Sequence, residues 1–343
     1  MDFVKSDVIL LSSRIALPIR KDYMEKTQTN FVSKGSSLSF EEKIKAYKNE
    51  GRWGGSKARQ FLFKANQELF KHWDSALLGD KDALLNGTKV YREEFHFEPK
   101  NPCKTSFSCV NADCVDAARK LIEKGYNPAI LNLASNVSPG GGYHKGTNAQ
   151  EESLCQRSTL SCSLYQFGDN SKKHIRDSGF FKKKEYPLDT NFGGIYSPGV
   201  TFFRKNLNGN YGYLEHPFSC GIVSIASIAN RAKNEYVNED MKYVDANGLL
   251  NEEGKKIQKN KIVTILRIAL SNGHDSIVLG AFGCGAYHLD PEQIANLFDL
   301  VLNQDEFKGQ FKKVVFAILE FGYPQGRYGK FGPFYSHFGI DTF

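Results

Sequence analysis

Apolar positions change their spacing near residue 104, and the change divides the chain. From Ser56 to Leu78 they fall at Phe61, Phe63, Leu69, Phe70, Trp73 and Leu77, which predicts one amphipathic helix. "TKVYREEFHF" (88–97) alternates loosely and predicts a strand. Residues 1–55 are weakly periodic, with a polar Ser/Lys/Gly-rich stretch from Lys26 to Ser39, and predict a partly ordered extension. The expected organisation is an N-terminal extension (1–55), a helical accessory segment (56–100) and one α/β domain (101–343).

Beyond Lys104 strand-like and helix-like stretches alternate. "TSFSCV", "PAILNLA", "GGIYSPGVTFF", "CGIVSIASIA", "SIVL" and "KKVVFAILEF" predict strands. "DCVDAARKLIEKG", "AQEESLCQRSTLSCSL" and "GKKIQKNKIVTILRIALSNG" predict helices, the first closed by Gly125 and the third by Gly273. After "SIVL", Asp290 suits a helix N-cap, Pro291 the first helical position, and Gln293 the partner in a capping box. Such alternation implies α/β layers around a parallel or mixed sheet.

Composition excludes several classes. Apolar residues make up 41% and charged residues 24%, ordinary for a globular protein with a sizeable core. No apolar run approaches the roughly 20 residues that cross a bilayer. The N-terminal "VILLSSRIAL" is interrupted by Ser12, Ser13 and Arg14, so a cytoplasmic protein is expected. Seven cysteines without a C-x-x-C pair imply reduced thiols. Cys103, Cys109 and Cys114 lack a histidine pair at zinc spacing, and no metal is expected. The net charge of +7, with lysine runs at 181–186 and 254–261, favours polyanionic partners. Those runs lack interleaved aromatics, so direct nucleic-acid binding has no motif behind it.

The chemistry concentrates in two strand-to-loop transitions, "LNLASNVSPGGGY" and "VLGAFGCGAYH". At the carboxyl ends of strands, glycine lets backbone N–H groups approach an anion, and two such loops suit a diphosphate. Neither is a Walker A or G-x-G-x-x-G motif. Seven residues after the first glycine triplet comes Gln150-Glu151-Glu152. Successive helical residues diverge by about 100°, so one carboxylate is expected at the scissile bond and the other at a neighbouring hydroxyl or structural donor.

"ASNVSPGGGYHKGTNAQEESLCQRSTL" and "VLGAFGCGAYHLDP" together resemble the microbial poly(ADP-ribose) glycohydrolases, with "VNADCVDAARKL", "IYSPGVTFFR" and "KKVVFAIL" in the family's order. The resemblance covers roughly Ser56 to Glu320. It implies a macrodomain-like three-layer α/β/α fold with a mixed central sheet, plus an N-terminal mainly helical extension. It also implies hydrolysis of ribose–ribose O-glycosidic bonds in poly(ADP-ribose), releasing ADP-ribose without a cofactor. By position, Gly140, Gly141 and Gly142 line one side of the diphosphate, and Gly283, Cys284, Gly285 and Ala286 the other. Asn136 matches the residue holding the distal ribose, Tyr287 an aromatic against it, and Asp113 a candidate for the adenine amine. Glu152 is implied as the catalytic acid, Glu151 as its helper, with Gln150 in the substrate-binding set. Phe282 departs from the family's usual tryptophan.

Rival readings remain open at this point. A silent ADP-ribose reader needs both loops but not Gln-Glu-Glu. A hydrolase of single ADP-ribose units on protein or nucleic acid uses the same pocket. Cys284, in a glycine loop at a helix start, has the position of a thiolate nucleophile, although small-residue packing explains it more simply.

Overall fold

A computed structural model describes residues 38–51, 54–100, 102–230, 243–320 and 329–339. The apolar N-terminal stretch and most of the polar 26–39 segment lie outside them. The helices are α1 (Phe40–Lys48), α2 (Gly54–Lys71), α3 (Ser75–Leu78), α4 (Lys81–Gly87), α5 (Cys114–Glu123), α6 (Gln150–Arg157), α7 (Leu160–Tyr165), α8 (Lys173–Arg176), α9 (Glu252–Ser271), α10 (Pro291–Leu302) and α11 (Phe331–Phe338). The strands are β1 (Lys89–Tyr91), β2 (Ser106–Val110), β3 (Pro128–Leu133), β4 (Gly194–Arg204), β5 (Tyr213–Ile225), β6 (Ser276–Leu279) and β7 (Lys313–Ala317). They form one seven-stranded sheet in the order β1-β4-β5-β3-β6-β7-β2. Its β3–β6, β6–β7 and β2–β7 pairs are parallel and β1–β4 is antiparallel, so the fold is α/β with a mixed sheet.

The chain divides into two compact units, which do not follow the three blocks expected from the sequence. The first takes 1–88, 137–187 and 197–222, and the second takes 89–136, 188–196 and 223–343. The second unit owes its core to strands that are apolar on both faces. Ile277, Leu279, Val314 and Phe316 pack with Ile265, Ile268, Phe298 and Phe334 of α9, α10 and α11. In the first unit a smaller core joins Phe40 and Ile44 of α1 to Ala58, Leu62 and Ala65 of α2, with Tyr211.

Three local expectations need correction. The stretch 149–164 is two helices, because Ser158 is extended and bridges Phe202, while Thr159 N donates to Thr201 O at 3.1 Å. The helix 56–78 breaks at Asp74, which caps α3 by accepting from Ala76 N. Asp290 does cap α10, accepting from Gln293 N at 2.9 Å. The Gln293 side chain, however, accepts from Leu250 N instead of closing a capping box.

Candidate active site

The glycine triplet lies in the first unit, in the turn that leads into α6. Gly140 and Gly141 have φ of +71° and +55°, left-handed values that glycine adopts without strain. Gly140 N donates to Glu151 Oε1 at 3.1 Å and Gly142 N to Glu152 Oε1 at 2.7 Å, while Gly141 N donates to Ser138 O. All three amides are therefore occupied within the loop. A Cβ at Gly141 would strike Glu152 Oε1 and lie 3.0 Å from Glu151 Oε2. The glycines are needed because two carboxylates press against this backbone.

The two carboxylates hold different amides of one short stretch of backbone. The Cα vectors of Glu151 and Glu152 do separate around α6, yet both flexible side chains fold back to the same three residues. Glu152 also accepts from Ala149 N through Oε2 at 3.1 Å, closing the start of α6 where Ala149 has no side-chain acceptor. Both residues are buried, at 4% and 6% exposure. A carboxylate oxygen accepts through two lone pairs, so each Glu152 oxygen retains one beyond its amide. Gln150 opens the helix and is half-buried.

Behind the loop stands a buried polar network that sequence reading missed. Asn66 of α2 donates to Tyr143 Oη at 2.9 Å and to Gln156 O at 3.0 Å, and accepts from Arg204 Nε at 2.8 Å. Tyr211 Oη donates to Gln156 Oε1, and Gln156 Nε2 donates to Thr147 O. The Arg204 guanidinium lies 4.7 Å from the Phe40 ring centre and 4.5 Å from that of Tyr213, and burial lowers its pKa. Near the start of α2, Arg59 Nε donates to Gly146 O at 2.7 Å. The helical segment expected to be accessory thus grips both ends of the carboxylate-bearing loop. Its only sequence signal was a polar Asn66 on an apolar helix face.

The second glycine loop, in the second unit, is built differently. Gly283 has φ +82° and His288 +56°. Phe282, Cys284, His288 and Leu289 donate their amides within the loop. Among the described residues, the N–H groups of Gly283, Gly285 and Ala286 have no protein acceptor, and Gly285 and Ala286 are exposed. A turn of unpaired backbone donors is the chemistry of an anion cradle. Cys284 is no nucleophile here: burial pushes its thiol up to about 12, and Sγ points at Phe282 O. Tyr287 Oη donates to Ala134 O at 3.3 Å. Asn136 is half-buried, and its side-chain amide makes no hydrogen bond to a described residue. Asp113 caps α5, its Oδ1 accepting from Val115 N and Asp116 N. Among the described residues no three His, Cys, Asp or Glu side chains gather as metal ligands.

Residues 66–205, which include Asn66, the triplet and both glutamates, match the family model of the microbial-type PARG catalytic domain. Over that stretch the chain is similar to a microbial-type PARG catalytic domain. Its fold is similar to that of poly(ADP-ribose) glycohydrolase from Thermomonospora curvata, at 26% identity over 82% of this chain and 98% of that one, with a TM-score of 0.59. The same enzyme bound to the inhibitor ADP-HPD matches at 25% identity and a TM-score of 0.58, over 82% of this chain and 98% of that one. The Deinococcus radiodurans glycohydrolase in complex with ADP-ribose matches at 26%, over 75% of this chain and 96% of that one, with a TM-score of 0.56. No curated protein matches. Among the described residues, no helix is long and apolar enough to cross a membrane.

Proposed function

We propose that this chain hydrolyses the ribose–ribose O-glycosidic bonds of poly(ADP-ribose) and releases ADP-ribose, with Glu152 as general acid and then general base. Glu152 carries the reading: a buried carboxylate held by one amide on each oxygen, inside the matched PARG domain. Protonated, it donates to the leaving ribose oxygen as the anomeric C–O bond breaks and an oxocarbenium ion develops. The resulting carboxylate takes a proton from the water that attacks the same carbon, which restores the acid. Glu151, fixed to Gly140 N, holds the adjoining ribose hydroxyl, and Gln150 completes the substrate-binding set.

The free amides of Gly283, Gly285 and Ala286 bind the substrate diphosphate, with Cys284 packed beneath them as a neutral thiol. Asn136 and Tyr287 take the distal ribose, and Asp113 the adenine amine. ADP-ribose, free and as polymer on modified proteins, is then the ligand. Incubation with automodified polymer should release free ADP-ribose. Release only from singly modified protein would replace the polymer reading, and binding without release would leave a reader.

A further inference from the structure

A cationic patch adjoins the carboxylate loop within the same unit, and the chemistry above leaves it unused. His144 follows the glycine triplet by two residues, and its ring stacks on His174 of α8 with centroids 3.7 Å apart and planes at 8°. His144 Nδ1 and His174 Nε2 are sealed off without a partner, as is the hydroxyl of Tyr165, whose ring stands edge-on to His174. Both residues are half-buried, and the other nitrogen of each ring makes no hydrogen bond to a described residue. Burial, and then the like charges of Lys145 and Lys172, lower the pKa of His144; burial, His144 and the same two lysines lower His174 to about 4.

Charge pairing around α8 is incomplete. Between 169 and 185 there are six Lys or Arg and three Asp or Glu. Each acid has its own cation: Asp169 with Lys184 at 3.0 Å, Asp177 with Arg176 at 3.4 Å, and Glu185 with Lys183 at 2.7 Å. Lys182 bonds Leu85 O and Asn86. Exposed Lys145, Lys172 and Lys173 have no partner among the described residues. Two imidazole edges thus lie beside ammonium groups with nothing to neutralise.

We propose that His144, His174, Lys145 and Lys172 form a subsite for the diphosphate of the polymer unit adjoining the bond to be cleaved. The proposal rests on the glycohydrolase reading above. A polymer carries two phosphates in every unit, so the unit on the leaving side of Glu152 brings a dianion with it. A patch tied to the glycine loop through the imidazole stack is placed to receive that charge.

The test compares wild type with Lys145→Ala/Lys172→Ala on two substrates: long polymer, and ADP-ribose bearing 4-nitrophenoxide at the anomeric carbon, which has no adjoining diphosphate. The double variant should lose about tenfold in kcat/KM on polymer, through KM. The slope of log kcat/KM against log salt should flatten by about 1.4–1.8 for the two lysines lost. Nitrophenyl turnover and ADP-ribose affinity should stay within twofold. Equal losses on both substrates, or none on polymer, would overturn the subsite. Equal competition by a single-stranded oligonucleotide of the same charge would also overturn it, since the patch would then serve polyanions at large. If wild type cleaves neither substrate, the glycohydrolase reading fails by itself. The subsite is then judged by anisotropy of labelled polymer, where equal Kd for wild type and double variant refutes it.

Discussion

Replacing Glu152 by glutamine is the sharpest probe, and it is not the silent isostere it would be at many acid/base sites. Both carboxylate oxygens accept from backbone, Oε1 from Gly142 N at 2.7 Å and Oε2 from Ala149 N at 3.1 Å. A carboxamide offers one acceptor and one NH₂, so one of those two N–H groups must face a donor. The oxygen should stay on Gly142, where the bond is shorter, and turn the NH₂ toward Ala149, which is exposed and has water as a substitute. Losing one charge-assisted bond with partial rescue costs about 1–2 kcal/mol. A domain stable by roughly 5–15 kcal/mol remains folded after that loss.

Stability therefore cannot account for a large fall in rate, and the two effects separate. If Glu152 supplies the proton, single-turnover hydrolysis by the folded variant should fall by roughly 10²–10⁴-fold. ADP-ribose affinity, measured by calorimetry, should change little, and the melting temperature should drop by a few degrees. A rate within a few-fold of wild type, together with the lowered melting temperature, would refute the acid and leave Glu152 as a helix start. Glu151→Gln gives the contrast. Glu151 Oε1 accepts from Gly140 N, so activity should fall through positioning and remain measurable.

Three further outcomes follow from other parts of the molecule. A Cβ at Gly285 meets nothing within 4 Å, so Gly285→Val should melt like wild type while ADP-ribose binds at least about tenfold more weakly, as calorimetry would detect. Asn66→Leu strands buried Arg204 Nε and removes the donors to Tyr143 and Gln156. It should lower stability by about 2–4 kcal/mol in urea unfolding and reduce kcat more than it raises KM. Burial, with the charges beside it, lowers His174 from the usual 6.5 to about 4, so the unfolded chain binds the extra proton between those values. Its contribution to stability is intact above 6.5 and is lost as pH falls toward 4. His174→Phe, which keeps an aromatic ring on His144, should flatten the melting temperature across that window.

Much of the α/β pattern was legible because strands buried on both faces and helices with Gly, Asp or Pro at their ends advertise themselves locally. Asp113, Asp290, Gly125 and Gly273 all sit at the boundaries their chemistry suggests. What escaped was set by contacts distant in sequence. Nothing near Ser158 breaks a helix; its bridge to Phe202 does. Gln293 leaves its capping role because Leu250 N, 43 positions away, needs an acceptor. The helical character expected of the N-terminal extension has a local basis as well: Ser39 and Glu42 form a reciprocal capping box that starts α1.

The candidate site shows the same limit more sharply, because two loops of similar composition do opposite things. Around Gly141 the amides turn inward to the chain's own glutamates; around Gly285 they are left open. Glycine content alone cannot distinguish them, and reading both as phosphate cradles followed from that content. The residues opening the next helix do distinguish them. After the second loop Asp290 caps α10 with its own side chain, so the helix asks nothing of the glycines. Before α6 the cap position is Ala149, which has no acceptor, and the third helical residue is Glu152. A helix that begins without a capping side chain must satisfy its first amide from within, and Glu152 reaches back to do so with Oε2. Its other oxygen then lies against whatever precedes the helix, and only a residue without Cβ can stand there. The glycine triplet and the glutamate pair are thus one device: the backbone is bare so that a carboxylate can be held still.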